Sequence, residues 1–162
     1  MSNLAISQED KNEVIENIIT HYIQNRENYT DLLKDYAEKL QSMLESKIHS
    51  VIFRVKKPDS LRKKILKKFD HKDTYKTISK NNYMQIVTDL GGVRILLLRQ
   101  TNWKYIDRVI QELNGCEIIE KIAYLPSDMY EADKEGFKSA GFETPADEKK
   151  QDSSIHYTLK IN

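Results

Sequence analysis

At His49 the hydrophobic period of this chain changes, and that change argues against an all-helical fold. Before it, apolar residues recur every three or four positions. They run Val14, Ile15, Ile18, Ile19, Tyr22 and Ile23, then Tyr29, Leu32, Leu33, Tyr36, Leu40, Met43 and Leu44. That spacing predicts two long amphipathic helices with their stripes turned to a core. Ser7-Gln-Glu-Asp10 resembles a capping box at the start of the first. After the change, Val51, Phe53 and Val55 alternate with Ile52, Arg54 and Lys56, the two-residue repeat of a strand.

The next signals continue a mixture of strand and helix. Pro58 suits the first turn of a helix, where its missing N–H costs nothing, and Leu61, Ile65, Leu66 and Phe69 would form the buried face. A short helix is expected over 74–79, ended by Asn81-Asn82, while 83–90 reads as either helix or extended chain. Gly92 to Leu98 reads as an apolar strand. Thr101 can cap a helix whose inner face is Trp103, Ile106, Val109, Ile110 and Leu113, with Asn114-Gly115 as its stop.

Cys116 to Tyr124 reads as a strand, and so does the alternation of Ile155, Tyr157, Leu159 and Ile161 with His156, Thr158 and Lys160. Between them, 126–152 is polar and without a strong period, apart from a short helix around 128–138. The succession predicts an α/β (α+β) chain, with an N-terminal helical segment over 1–48 packed on a domain over 49–162.

Charge is concentrated. The total is +1, yet from Arg54 to Lys80 eleven Lys and Arg face only Asp59, Asp70 and Asp73. A basic stretch in an otherwise acidic chain points to one anionic ligand more than to general nucleic-acid coating. A solvated lysine-rich helix face is the alternative. No apolar run approaches the roughly 18–20 residues of a membrane span. The N-terminal residues lack the pattern of a signal peptide, and the single Cys116 excludes an internal disulfide. A cytoplasmic protein is expected.

The basic motif straddles the strand and the helix. On a strand Arg54 and Lys56 share a face, and on the following helix Ser60 and Lys64 are four apart and share another. With the free N–H groups of a helix start, they form a donor set for a triphosphate. The sequence lacks G-x-x-x-x-G-K-[ST], so this is not a P-loop. Asp89 precedes Gly91-Gly92, where backbone can approach a ligand, and a carboxylate there can hold Mg²⁺ with phosphate oxygens. Arg94 can neutralise phosphate charge, or pair with Asp89 across a turn. His156, pointing away from its core-facing neighbours, can touch a substrate or simply occupy a sheet face.

Arg54-x-Lys56-x-x-x-Ser60-x-x-x-Lys64, then Asp89-Leu90-x-x-x-Arg94, then Ser154-x-His156 resemble the RelA/SpoT-type (p)ppGpp synthetase domain. The resemblance runs from about Val51 to the C-terminus. It implies a mixed β-sheet of nucleotidyltransferase-like type flanked by helices, and transfer of pyrophosphate from ATP to a nucleotide 3′-hydroxyl. It implies that Arg54 faces adenine or phosphates, that Lys56, Ser60 and Lys64 bind phosphates, and that Asp89 holds Mg²⁺. Arg94 would offset phosphate charge and His156 would contact the acceptor, GDP, GTP or an RNA 3′ end.

Two departures from the family pattern stand out. Asp152 occupies the place of the family's guanine-stacking tyrosine, which puts a guanine acceptor in question. The family's final Glu-x-Gln-x-Arg has no counterpart before Asn162. The expectation is therefore either an inactive fragment of a longer pyrophosphokinase or a shortened relative that binds without turnover. A nucleotide- or RNA-binding module on the basic surface is the competing reading, and the N-terminal helices offer a surface for a homo-oligomer.

Overall fold

The computed structural model describes residues 8–69, 71–145 and 154–161; the expected cap Ser7 and the substituted position Asp152 lie outside them. The chain divides into two compact units, Met1–Lys104 and Tyr105–Asn162.

One helix, α1 (Gln8–Leu44), stands where two were expected. The segment joining the two apolar stripes, Gln24-Asn25-Arg26-Glu27-Asn28, holds neither glycine nor proline. Helix-weak side chains in and just after it bond back along the helix instead of breaking it. Asn25 Nδ2 donates to the His21 carbonyl at 2.8 Å, and Thr30 Oγ1 to the Arg26 carbonyl at 2.8 Å. Propensity costs of a few tenths of a kcal/mol per residue are then outweighed by burial. Ile15, Ile18, Ile19 and Tyr22 are buried at one end, and Ala37, Leu40 and Leu44 at the other, whereas Ile23, Leu32 and Met43 stay exposed.

In the first unit, β1 (Ile48–Val55) pairs antiparallel with β2 (Gly91–Leu97). Val51, Phe53 and Val55 lie opposite Ile95, Val93 and Gly91. This sheet face meets α1, because a Cβ built on Gly91 would sit 2.3 Å from Leu33 Cδ1. The opposite face carries Ile52 beside Arg94, and Arg54 beside Gly92.

Three further helices complete this unit: α2 (Pro58–Phe69), α3 (Asp73–Lys76) and α4 (Tyr83–Ile86). The α2 stripe is Leu61, Ile65 and Phe69, one residue per turn, and Leu66 falls outside it on the exposed side. Together with Ile15, Ile18, Ile19, Tyr22, Tyr75, Ile78, Tyr83 and Val87 it forms one continuous core. Each fully buried aliphatic side chain contributes about 1.5–3 kcal/mol. Arg62 grips Glu16 with both arms of its guanidinium and ties α2 to α1. Tyr83 ties α4 to α1 through Tyr29 Oη at 3.0 Å and His21 Nδ1 at 3.2 Å.

A 3₁₀ turn (Gln100–Asn102) leads into α5 (Trp103–Gln111), within which the second unit begins. There β3 (Cys116–Tyr124) pairs antiparallel with β4 (Ser154–Ile161), and α6 (Glu131–Ser139) lies between them in sequence. Gly141, at φ +82°, reverses the chain after α6. Glu143 then pairs parallel with Ile122, through Ala123 N to Glu143 O at 2.8 Å and Glu143 N to Lys121 O at 2.9 Å. The short helix expected around 128–138 is α6, anchored by Phe137 edge-on to Phe142 and Phe142 edge-on to Tyr157.

A buried polar network holds α5 to this second sheet. Asp107 accepts from Tyr157 Oη at 2.9 Å and Gln111 Nε2 at 2.7 Å, and pairs with Lys121 Nζ at 2.7 Å. Lys121 also donates to the Ala140 carbonyl at 2.7 Å and lies 4.2 Å from the centre of the Phe142 ring. With side chains only 8% and 12% exposed, Asp107 and Lys121 satisfy each other away from water. Burial, and the Asp107 charge after it, push the Tyr157 hydroxyl far above its ordinary range. The molecule is thus mixed α+β, with two small antiparallel sheets among the described residues.

Candidate phosphate-binding site

The site forms where β1 ends and α2 begins, a junction made by Pro58. Lys56 is the first residue past β1, and its N–H still donates to the Leu90 carbonyl at 2.8 Å. That bond holds the end of β1 against the approach to β2, so Lys56 and Asp89 meet. Lys56 Nζ donates to Asp89 Oδ2 at 2.8 Å. From one turn further along α2, Lys64 Nζ donates to Asp89 Oδ1 at 2.5 Å. One carboxylate thus receives both ammonium groups. Sequence reasoning placed Lys56, Lys64 and Asp89 in one site, and the fold brings all three together.

Their burial sets the strength of this arrangement. The lysine side chains are 14% and 20% exposed, and that of Asp89 42%. Burial by itself would raise the Asp89 carboxyl, but the hydrogen bonds and charges of Lys56 and Lys64 outweigh it and hold it below the usual carboxylate range. Around them α2 stays crowded with cations. Partial burial, then the charges of Lys64 and Lys72, lower the Lys68 ammonium.

The remaining expected residues of this unit are placed around the triad. Ser60 is exposed in the first turn of α2, four residues before Lys64. Arg54 and Arg94 are both exposed on the sheet face turned away from α1. Arg54 lies opposite Gly92 and Arg94 is the next residue but one, a diagonal separation of about 7–8 Å. A Cβ on Gly92 would be 3.8 Å from Arg54 Nε, so that guanidinium lies across the glycine. The alternative of an Asp89–Arg94 pair is not what forms; Asp89 is taken by lysines.

Gly91 has a different role from the one expected. The space above it is filled by Leu33 of α1 and not left for a ligand. Two residues that the motifs do not include also belong to the neighbourhood. Tyr22, fully buried, donates from its hydroxyl to the Lys56 carbonyl at 2.6 Å and lies 3.5 Å from the Leu90 carbonyl. It clamps the two backbone segments that carry Lys56 and Asp89. Arg26, one helical turn later, sits beside that hydroxyl. The sequence marks Tyr22 only as part of an apolar stripe, and its one signal of more is a cation four positions on.

His156 belongs to the second unit. It is exposed on β4, opposite Ile122, while Ile155 pairs with the fully buried Ala123 and Tyr157 turns inward to Asp107. This is the alternation expected of that strand. His156 Nε2 is 3.2 Å from Ser154 Oγ, and the ring stands edge-on to Tyr124 with centroids 5.1 Å apart.

The donor set also decides how a metal would be held. Among the described residues no group of three or more His, Cys, Asp and Glu is placed to enclose an ion. Asp89 suits Mg²⁺ as a single carboxylate ligand to an ion already bound by phosphate oxygens, once its oxygens are released by the lysines. Among the described residues no helix is long and apolar enough to cross a membrane. No family model matches the chain, and no curated protein matches it significantly.

Proposed function

We propose that this chain carries the ATP-binding site of a pyrophosphokinase of the RelA/SpoT type. The observation that carries the reading is the convergence of Lys56 and Lys64 on Asp89 at a strand–helix junction. Two ammonium groups sharing one carboxylate have spare capacity for an anion. Ser60 in the first turn of the same helix, and Arg54 and Arg94 on the neighbouring sheet face, extend the donor surface. A triphosphate spans such a surface, and arginine is suited to phosphate through its planar fork.

Pyrophosphoryl transfer asks a protein chiefly for positioning and charge neutralisation. In this reading Lys56, Ser60 and Lys64 bind the phosphates of ATP, and Arg54 faces adenine or phosphates. Arg94 offsets the charge that builds during transfer. Mg²⁺ supplies further neutralisation when bound, with Asp89 as its protein ligand. The family resemblance assigns His156 to the acceptor, a nucleotide 3′-hydroxyl of GDP, GTP or an RNA end, to give (p)ppGpp or a related product. The nucleotidyltransferase-like architecture, a cytoplasmic location and a role in the stringent response belong to the same proposal. So does a homo-oligomer built on α1.

Calorimetric titration tests it. Mg²⁺–ATP should bind to the chain, and Lys64→Gln should weaken that binding about tenfold, the loss of one strong charge-assisted contact. ATP that binds Lys64→Gln as well as the wild type would remove the site. In a catalytically active form, Asp89→Ala should abolish transfer of labelled pyrophosphate to GDP, GTP or tRNA.

A second reading is favoured by the exposed Lys63, Lys67 and Lys72 beside Lys68: an RNA-binding surface without catalysis. It requires labelled RNA to bind without Mg²⁺ and with a steep salt dependence. ATP competition at the same cations would decide against it.

A further inference from the structure

Arg26 lies one turn beyond Tyr22, so the two side chains adjoin on the face of α1 that meets the end of β1. The Tyr22 hydroxyl is already committed to the Lys56 carbonyl and lies near that of Leu90, the residue after Asp89. Burial pushes the Tyr22 hydroxyl's pKa up, against the opposing charge of the Arg26 guanidinium beside it, and the Asp89 charge also raises it. Arg26 and Asp89 are therefore both neighbours of one hydroxyl.

What is unusual about Arg26 is what it lacks. It is half-buried, its Nε is shielded from water, and that nitrogen has no hydrogen-bond partner among the described residues. No carboxylate among the described residues forms an ion pair with it, and its side-chain hydrogen-bond partner is the neutral Tyr22 hydroxyl. Arg62, also facing α1, shows the contrasting arrangement, with both arms on Glu16. A guanidinium Nε–H withdrawn from water without a partner leaves one strong donor unsatisfied. Lys56 and Lys64 meanwhile share the single carboxylate of Asp89, so neither has a counter-ion of its own.

We propose that Arg26 is a further ligand of the oligophosphate group that Lys56 and Lys64 bind, supplied by α1 and held in place by Tyr22. The inference rests on the oligophosphate reading given above and adds a residue outside every motif of that reading. It makes α1 part of the binding site, and it gives a role to a cation that has no carboxylate partner among the described residues. The planar fork of arginine can take two oxygens of one phosphate, which a lysine at the same place cannot.

Inorganic tripolyphosphate without metal is the probe, titrated into the full chain. Arg26→Gln should weaken its binding about tenfold, and Arg26→Lys should recover part of that loss. Binding to Arg26→Gln equal to the wild type, while Lys64→Gln weakens it, would overturn the role of Arg26 and leave the phosphate site standing. Tripolyphosphate that does not bind the wild type overturns both. ATP that fails where tripolyphosphate binds would remove the ATP reading and keep Arg26.

A structural role alone would lower the unfolding temperature of Arg26→Gln without changing tripolyphosphate affinity, and that outcome also counts against the proposal. Should Arg26→Gln not fold, the wild type decides by NMR. The Arg26 Nε–H resonance, assigned by its loss in Arg26→Lys, must move on saturation with tripolyphosphate. A resonance that stays in place refutes the contact.

Discussion

Asp89→Asn separates the two partners competing for Lys56 and Lys64. In the free chain both ammonium groups are bound to the carboxylate, at 2.8 and 2.5 Å. A phosphate chain must take them from it. An exposed pair is worth about 0.2–1 kcal/mol, and removing one partner of a fully buried pair costs about 3–5 kcal/mol. This triad is intermediate, with lysines 14% and 20% exposed around a carboxylate 42% exposed, and the open side of Asp89 screens it. A value of about 1–2 kcal/mol for the two contacts together follows.

Asparagine keeps the size of the side chain and removes the charge, so that energy is no longer spent on binding. Metal-free tripolyphosphate or ATP should therefore bind Asp89→Asn about 5- to 30-fold more tightly than the wild type. The strengthening of ATP binding by Mg²⁺ should disappear in the same variant, and Mg²⁺ without phosphate should not bind either protein. Paired calorimetric titrations, with and without Mg²⁺, measure both effects. If the folded Asp89→Asn protein binds metal-free ATP no more tightly than the wild type, the competition argument is wrong.

Other consequences are independent of the ligand. Gly91→Ala would place a methyl group against Leu33 Cδ1, with Cγ and Cδ2 also within 3.3 Å, so no rotation at the end of Leu33 relieves it. A loss of about 1–3 kcal/mol in urea unfolding is expected. Adding Leu33→Ala should recover part of it, and strictly additive losses would refute the clash.

The Asp89 carboxyl titrates below its ordinary range in the folded chain. Its contribution is therefore complete above the unfolded value of about 3.9 and is lost as pH falls through the folded one. Thermal unfolding of the wild type and Asp89→Asn should converge on acidification below about pH 4. A gap that persists undiminished would refute the linkage. Tyr157→Phe removes a donor from the buried Asp107 carboxylate and should cost about 1.5–3 kcal/mol, while a loss under about 0.5 would mean that Lys121 and Gln111 suffice.

Much of this was legible from local spacing. The alternation at Val51, Phe53 and Val55, the helix opened by Pro58, and the outward-facing His156 all depend on contacts a few residues apart. Helix and strand periods are written in order along a chain, so a reader recovers them without knowing the fold. The continuity of α1 was masked by the polar gap between its stripes. Yet Tyr29 follows Tyr22 by seven residues, so the two stripes keep one phase, and neither glycine nor proline stands between Gln24 and Asn28.

The candidate site was half legible. Cations at a strand–helix junction and a carboxylate before two glycines stand in the sequence itself, and so does the clustering of positive charge. Their meeting does not, because Lys56 and Lys64 lie 33 and 25 residues from Asp89. That the carboxylate is shared by two lysines, that Gly91 makes room for Leu33, and that Tyr22 and Arg26 adjoin the site were decided by tertiary packing. So was the burial of Asp107 with Lys121. A side chain's partner is set by which distant backbones the core brings within 3 Å, and no local period records that.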